Sequence, residues 1–441
     1  MEQRRKNLTQ LFIPICLETL LYMLSGMVDT LMLSSVNDQA VGAVGTANTY
    51  IGIFIIMFSV ISSGMVAVMT QNIGAGRPGV AYQARQLGLV FNAALGVIMS
   101  LFLSLGAGTI LSGVGVADAL MQPAKTYLQI VGGFCILNAL IPICSSYLRA
   151  FGFSKEPLYA SIIGNVINFC LNAFFLFVLH KGVAGVATAT VISRIINLVI
   201  VVLLGAVLVK AKQHPERESN RAVMGQIIRI GLPSACETAI YNVSMTLVIR
   251  FLNQMDAQGL NVTARSYTMQ ITNFSYCVGA ALAQANAIMT GWHIGAKEYD
   301  ACDRGTKKAA VIGVIVAVIL ETMFALCSGW IMQLFSKDPQ MVSLVGKLLA
   351  IDIVLEIGRV TNLVYGQALK TSGDAVFPVV MGACFMILCS VGGTYLFGIR
   401  LGLLAVGAYI GMTGDECVRA VGMYLRWKSG KWKEKGLVKS R

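Results

Sequence analysis

Long apolar segments separated by short polar stretches recur along the whole chain. A helix that crosses a bilayer needs about 20 mainly apolar residues, and twelve segments come close to that length. In the first half, the predicted spans are residues 9–33, 46–71, 86–111, 124–148, 157–179 and 183–209. In the second half, they are residues 228–253, 265–291, 308–335, 343–369, 375–397 and 402–426. The pattern predicts an all-α integral membrane protein.

The same polar residues recur inside the first span of each half. Their order and spacing are shared by Pro14, Glu18, Thr19, Tyr22 and Ser25 and by Pro233, Glu237, Thr238, Tyr241 and Ser244. A second match relates Leu148-Arg149-Ala150-x-Gly152 to Leu369-Lys370-Thr371-x-Gly373. Because each half has an even number of spans, both halves enter the membrane in the same direction, and a cavity is expected where they meet.

The repeat divides the chain into two pseudo-symmetric lobes of six transmembrane helices each. The predicted parts are an N-terminal lobe at 1–209, a cytoplasmic linker at 210–227, a C-terminal lobe at 228–427 and a basic cytoplasmic tail at 428–441. Two interpretations of Pro14 and Pro233 are open, since proline removes a backbone hydrogen bond. They are tolerated near a helix start, or they mark bends that move during transport.

Composition and charge support the membrane assignment. Hydrophobic residues make up 56% of the chain and charged residues 12%, about half the charged fraction of a soluble protein. The net charge is +13, but the basic residues cluster at both ends and between apolar runs. Arg4, Arg5 and Lys6 precede the first span, Lys210–Arg221 link the lobes, and the tail is lysine-rich. The positive-inside rule therefore predicts a cytoplasmic-membrane protein with both termini cytoplasmic and no nucleic-acid partner.

Motifs of enzymes and of cofactor sites are missing from the sequence. The eleven cysteines contain no C-x-x-C pair, and the three histidines have no ligand-like spacing. Neither a P-loop nor a hydrolase or metalloprotease motif is present. We therefore expect no enzyme and no cofactor, and a monomer in the lipid bilayer that moves a small-molecule substrate. An ion gradient, with Na⁺ or H⁺ as the coupling ion, is the expected energy source.

The first span carries two carboxylates on one helix face. Glu18, Tyr22, Ser25 and Asp29 follow one another at helical spacing. Carboxylates inside a membrane are costly, so they are expected to face a cavity or the bundle interior. The alternative is that they only hydrogen-bond to neighbouring helices. In the second lobe Val248 stands where Asp29 would be matched, which favours ion chemistry in the first lobe.

Neutral oxygen ligands occur on two later spans of the first lobe. Asn168 and Asn172 are one turn apart on the fifth span, and Thr190 lies on the sixth. Together with Asp29 they are candidates for a shell around a small cation, because hard cations prefer oxygen ligands. Hydrogen bonding between helices is the open alternative.

Polar residues of the second lobe are candidates for the wall of a substrate cavity. Glu356 and Arg359 are three residues apart and are able to pair, so a structural ion pair is an equal alternative. Arg194 and Glu321 have no partner assignable from sequence, whereas Asp415, Glu416 and Arg419 are expected to pair locally near the cytoplasmic end of the last span. The candidate cavity residues from both lobes are Tyr22, Glu237, Tyr241, Gln270, Asn273, Glu356 and Arg359.

Several motifs, in order, resemble those of the multidrug and toxic compound extrusion (MATE) family. They are Pro14 with Val28-Asp29-Thr30, Gln71-Asn72-Ile73-Gly74-Ala75-Gly76, Leu148-Arg149-Ala150-x-Gly152, Asn168-x3-Asn172, Gly182-x2-Gly185-x-Ala187-x-Ala189-Thr190 and Gly231-Leu232-Pro233. The resemblance covers about residues 8–427. It implies two six-helix lobes in a V shape, alternating access, and export of organic, often cationic, compounds in exchange for sodium ions or protons.

The resemblance also implies which residues handle the coupling ion. The family's first-lobe cation site maps here to Asp29, Asn168, Asn172 and Thr190. Many members have aspartate where this chain has Asn172, and Glu18 is the candidate to supply the missing charge. A lipid-linked precursor flippase of the same superfamily is the alternative function. It requires a strongly cationic cavity, for which Arg194 and Arg359 are candidates, although neighbouring acids oppose it.

Overall fold

A computed structural model describes residues 6–35, 38–113, 116, 118–210, 215–256, 259–333 and 335–438. Within these ranges the chain is helical and contains no β-strand. It separates into two compact units, Met1–Leu232 and Pro233–Arg441, called unit 1 and unit 2 below. Some basic residues behind the orientation prediction lie outside the described residues, namely Arg4, Arg5, Lys212, Lys439 and Arg441.

Unit 1 is built from seven helices and the first part of an eighth. They are α1 (Leu8–Ser34), α2 (Asp38–Gly74), α3 (Pro78–Gly113), α4 (Asp118–Tyr127), α5 (Ile136–Ala150), α6 (Lys155–Ala173), α7 (Gly182–Leu208) and α8 (Asn220–Met255). A π-helical turn, Leu128–Gly132, follows α4, and the chain bends by 43° before α5. The single span predicted at 124–148 is therefore a bent pair of helices.

Unit 2 contains the remainder of α8 and six further helices. They are α9 (Leu260–Gly295), α10 (Tyr299–Leu326), α11 (Ser328–Met332), α12 (Pro339–Ser372), α13 (Val376–Phe385) and α14 (Leu404–Lys428). Two π-helical segments, Met386–Val391 and Thr394–Arg400, lengthen α13 into a full span. The span predicted at 308–335 is displaced, because α10 begins at Tyr299 and ends at Leu326.

Twelve long helical segments thus correspond to the twelve predicted spans. Among the described residues, seven are long and apolar enough to cross a membrane, and the bent α4–α5 pair makes an eighth. The other four, α8, α9, α12 and α14, have sufficient length but carry several polar and ionisable residues. Large apolar side chains also face outward, such as Leu105 at 83% exposure. An apolar exterior suits contact with lipid, and the chain is a multi-pass membrane protein.

Two glycines bring α2 and the start of α8 into backbone contact within unit 1. A Cβ atom on Gly64 would lie 1.9 Å from the carbonyl oxygen of Ile227. A Cβ atom on Gly231 would lie 1.7 Å from the carbonyl oxygen of Val60. Only glycine permits this approach, which is a common device in membrane helix packing. The first turns of α8 therefore belong to unit 1, and the observed division falls inside α8.

The segment after α14 folds back onto unit 2. The Trp432 ring stacks on that of Trp427 at a centroid distance of 4.1 Å, and its Nε1 donates to the Trp427 carbonyl at 2.9 Å. Lys435 and Arg426 both contact the buried Asp374 carboxylate at 2.7 Å, between α12 and α13. Residues 428–438, expected as a basic tail, therefore form a packed segment, which we call the C-terminal clasp.

Candidate functional site

A line of polar contacts joins α1 to α6 in unit 1. The Ser161 hydroxyl donates to the Glu18 carboxylate at 3.4 Å, and the Asn165 amide donates to the Leu21 carbonyl at 3.4 Å. Further along, the Asn172 amide donates to the Asp29 carboxylate at 2.6 Å. The α6 residues share one helix face because they are separated by multiples of about 3.6. α1 and α6 therefore meet along a polar seam.

The Asp29 end of this seam brings together three of the candidate residues for a small-cation site. Asn172 donates both to Asp29 and to the Asn168 side-chain oxygen, the latter at 3.2 Å. A carboxylate cannot donate, so the Asn172 N–H groups must face it. The Asn172 side-chain oxygen is fully buried and, among the described residues, has no hydrogen-bond partner. An unpaired buried acceptor is unfavourable, and an oxygen-preferring cation would satisfy it.

Asp29 lies near two side chains, those of Arg194 and Tyr127, that the sequence did not connect with it. Arg194, on α7, acts electrostatically on Asp29 and on Tyr127 of α4. Tyr127 is 4% exposed and also interacts with Asn48 of α2. The sequence held one signal for this arrangement, because Arg194 is one helical turn beyond Thr190 and shares its face. Neither Tyr127 nor Asn48 had such a signal.

Thr190 lies in the same unit with a different immediate partner. Its hydroxyl donates to the Val186 carbonyl of its own helix at 2.9 Å, and the residue is 6% exposed. α7 packs against both α6 and α1. The structure therefore joins Asp29, Asn172 and Asn168 by hydrogen bonds, and it places Thr190 on the adjacent helix.

Glu18 is held by a residue that the sequence analysis did not pair with it. Its carboxylate lies 2.5 Å from the Arg149 guanidinium at the end of α5, and both side chains are largely buried. In unit 2, Glu237 and Lys370 make the corresponding contact at 2.6 Å. The glutamate of the repeated Pro-Glu-Thr-Tyr-Ser pattern is therefore paired with a basic residue in each unit. The structure pairs Glu18 with Arg149. A role of Glu18 in ion coupling stays a prediction.

The candidate cavity residues are partly exposed on their own units. Tyr22 is 69% exposed on α1 and Tyr241 is 36% exposed on α8. Gln270 and Asn273 are exposed on one face of α9, while Thr272 on another face of this helix is buried. These four side chains are exposed on their units, whereas the Glu237 side chain is 15% exposed.

Glu356 and Arg359 belong to an extended buried network in unit 2. Their predicted pairing is confirmed, with a distance of 2.8 Å between the charged groups. Arg359 also lies 3.6 Å from Glu416 of α14, which Arg419 contacts at 3.0 Å. Because the guanidinium of Arg359 is shared by two carboxylates, this arrangement favours the structural alternative for the pair.

The α14 residues pair locally as expected, but in a different place. Arg419 contacts Asp415 at 2.8 Å, and the Ser390 hydroxyl donates to Asp415 at 3.0 Å. The Asn362 amide of α12 donates to Glu416 at 3.0 Å. The prediction that this group lies near the cytoplasmic end of the span was wrong, because α14 runs from Leu404 to Lys428 and the acids lie at its middle.

A second group of buried acids lies beside this network. Glu321 of α10 is 0% exposed and Asp352 of α12 is 2% exposed. Glu321 interacts electrostatically with Asp352, Glu356 and Arg359. Glu321, left without a partner by the sequence analysis, therefore belongs to the same charged interior of unit 2.

Comparisons with known proteins cover nearly the whole chain. The MatE family profile matches residues 14–174 and 233–396. The uncharacterized transporter YisQ of Bacillus subtilis is 33% identical over 431 residues, which are 96% of this chain and 94% of YisQ. The probable multidrug resistance protein NorM of Thermotoga maritima is 23% identical over 446 residues, covering 98% of this chain and 94% of NorM.

The fold is also that of solved transporters. An outward-facing multidrug resistance MATE family transporter of the MOP superfamily superposes with a TM-score of 0.87 at 17% identity, over 97% of this chain and 96% of its own. At that identity the likeness concerns the fold alone. The family match, however, includes both repeats and contains the Asp29–Asn172 seam in its first segment. The chain therefore belongs to the MATE family of membrane transporters.

Proposed function

We propose that this protein is a secondary antiporter that exports amphipathic organic compounds, chiefly cations, in exchange for Na⁺ or H⁺. The observation that carries the proposal is the Asp29–Asn172 contact, in which a half-buried carboxylate meets a buried amide whose oxygen is unsatisfied. An ionisable group inside a membrane helix is costly to maintain. A group that binds and releases a cation in each cycle accounts for that cost.

The coupling ion is proposed to bind at Asp29, with Asn172 and Asn168 supplying neutral oxygens. For sodium, the unsatisfied Asn172 oxygen is a ready ligand; for a proton, the Asp29 carboxylate alone suffices. The positive charge of Arg194 acts on Asp29 and offsets part of its negative charge. The nearby positive charge weakens the binding of the incoming cation at Asp29 and favours its reversible release.

The substrate class follows from the accessible side chains and from the relatives. Tyr22 and Tyr241 offer aromatic surfaces, and Gln270 and Asn273 offer hydrogen bonds. Aromatic rings attract organic cations. Several relatives, including NorM of Thermotoga maritima, are described as probable multidrug resistance proteins. These features together support organic cations as cargo.

The flippase alternative is not favoured by the charged residues. A lipid pyrophosphate needs cationic side chains available to its phosphates. Arg194 interacts with Asp29, and Arg359 is shared by Glu356 and Glu416. Arg359 is therefore already paired with acids of this chain, and Arg194 lies within the electrostatic influence of one.

Location and assembly complete the proposal. The exposed side chains of Lys428, Lys431 and Lys433 lie at the end of α14 and in the clasp. They favour a cytoplasmic C-terminus by the positive-inside rule, and an even number of spans then places the N-terminus on the same side. We propose a monomer in the cytoplasmic membrane.

Purified protein in liposomes tests the proposal. A fluorescent organic cation is placed inside, and its efflux is followed after a sodium gradient, a proton gradient or neither is imposed. The proposal requires faster efflux with one of the two gradients than without any. Equal rates in all three conditions contradict antiport, and selective movement of a lipid pyrophosphate would support the flippase instead.

A further inference from the structure

Pro14 breaks the hydrogen-bond ladder of α1 in its interior. α1 begins at Leu8, so Pro14 lies well beyond the first turn, where proline is normally tolerated. A proline has no backbone N–H, and the carbonyl four residues earlier loses its helical donor. In α1 that carbonyl belongs to Gln10.

The orphaned carbonyl has a donor from outside the helix. The Ser154 hydroxyl donates to the Gln10 carbonyl oxygen at 2.9 Å, and Ser154 is 0% exposed. Ser154 occupies the N-cap position of α6, where a serine side chain usually accepts from its own helix. It makes no such capping bond here. The hydroxyl is therefore directed to α1 at the expense of the cap of α6.

A second contact holds α1 one turn beyond the proline. Glu18 pairs with Arg149 at 2.5 Å, and Arg149 lies in the last turn of α5. The end of α5 and the start of α6 thus contact α1 on both sides of Pro14, through Arg149 and Ser154. Thr19 adds a bond within α1, from its hydroxyl to the Ile15 carbonyl at 2.9 Å.

Unit 2 repeats only one of these two contacts. Glu237 and Lys370 repeat the ion pair, and Pro233 repeats the proline. In the matched motif, Gly373-x-Ala375 replaces Gly152-x-Ser154. Alanine has no hydroxyl, so the hydrogen bond to the helix is particular to unit 1. Unit 1 is also the unit whose first helix carries Asp29.

We infer that Ser154 is a positioning residue, which replaces the hydrogen bond removed by Pro14 and thereby keeps α1 continuous up to Asp29. Without the hydroxyl, the Gln10 carbonyl is unpaired and α1 opens at Pro14. With it, α1 stays aligned along α6, and Asp29 stays against Asn172. The inference concerns the helix itself and does not depend on which substrate or coupling ion is used.

Hydrogen–deuterium exchange of the intact protein in detergent tests this inference. Five proteins are compared: the unmodified chain, the single variants Ser154→Ala, Ser154→Thr and Pro14→Ala, and the double variant Pro14→Ala/Ser154→Ala. The loss of one buried hydrogen bond predicts about fivefold faster exchange in Ser154→Ala over residues 8–20. Ser154→Thr keeps the hydroxyl and is expected to exchange at the original rate.

The Pro14→Ala background separates positioning from general stability. It restores an N–H to pair with Gln10, so adding Ser154→Ala is expected to change exchange in α1 by less than about twofold. Peptides from unit 2 serve as the internal control and are expected to stay unchanged. The inference fails if Ser154→Ala leaves α1 unaffected, if its effect persists fully in the Pro14→Ala background, or if exchange rises throughout the protein.

Discussion

Glu18 and Arg149 form an ion pair of 2.5 Å between α1 and the end of α5, and Glu237 and Lys370 repeat it at 2.6 Å in unit 2. The side chains of these pairs are between 11% and 15% exposed. The acid shared by both repeats therefore has the same basic partner type in each unit. Val248 stands where Asp29 would be matched in unit 2, and Asp29 is the acid to which we assign the proposed ion coupling.

Removing the charge of Glu18 is expected to destabilise unit 1. In Glu18→Gln the buried Arg149 guanidinium loses its contact with the Glu18 carboxylate, and breaking a buried pair costs about 3–5 kcal/mol. Thermal unfolding in detergent measures the loss. Glu237→Gln is the matched variant, and a loss of similar size is expected from Lys370 being left unpaired.

Exchanging the two charges separates a structural pair from an ion ligand. The double variant Glu18→Arg/Arg149→Glu is expected to recover more than half of the lost stability, since opposite charges again face each other. If Glu18→Gln unfolds at the original temperature but loses its dependence on the coupling ion, Glu18 is a ligand and the structural account of the pair is wrong.

Arg359 is expected to act as the counter-charge of the unit 2 network. Arg359→Gln leaves Glu356 and Glu416 without their shared cation, which predicts a loss of about 3–5 kcal/mol of stability. The double variant Arg359→Gln/Glu356→Gln is expected to lose less than the sum of the single variants, because the two residues interact directly. Additive losses, with altered substrate affinity, would instead indicate independent substrate contacts.

The C-terminal clasp is expected to stabilise unit 2. Trp432 is 1% exposed and stacks on Trp427, so Trp432→Ala predicts a loss of about 3–5 kcal/mol. All four tryptophans of the chain lie in unit 2, and their intrinsic fluorescence follows the unfolding of that unit. The exposed Lys308→Ala, on α10 of the same unit, is the control, and equal stability of the two variants would show that the Trp432 contact contributes nothing.

Asp256, between α8 and α9, is expected to give a measurable pH dependence. Its burial opposes ionisation, but bonds from Asn261 and from the Leu260 backbone outweigh this and lower the pKa of Asp256 below its usual 3.8. A lowered pKa means that the carboxylate stabilises the fold above pH 3.8 and that this stability is lost as the pH falls below it.

Asp256→Asn tests this pH dependence. Thermal unfolding of both proteins is compared between about pH 7 and about pH 3. The variant is expected to unfold at a lower temperature near neutral pH and to approach the original chain in acid. A constant difference at every pH would contradict a charge-dependent contribution from Asp256.

Much of the architecture was predictable because local patterns determine it. Apolar length sets the number of spans, and a spacing of three residues brings Glu356 and Arg359 together on one helix. The π-helical turns after α4 and α13, a further one after α6 (Phe174–Val178), and the 43° bend between α4 and α5 had no sequence signal. They depend on packing against neighbouring helices, which periodicity does not describe.

The partners of the embedded charges were the main omission. Glu18 and Arg149 are far apart in sequence, and only the folded chain brings α1 to the end of α5. The sequence nevertheless contained an indication. Both halves have a glutamate in the first repeated pattern (Glu18, Glu237) and a basic residue in the second (Arg149, Lys370). Opposite charges that repeat together suggest a pair. Tyr127 and the Ser154 hydroxyl carried no comparable signal.

The most direct measurement of the central claim is coupled efflux by Asp29→Asn in liposomes. The exposed Asp118→Asn, at the start of α4, is the matched control. With the effective ion gradient imposed, we expect the control to export the organic cation at the original rate. Asp29→Asn is expected to be at least about tenfold slower, as for a loss of roughly 1.4 kcal/mol in ion binding. Full gradient-driven export by Asp29→Asn would contradict the account.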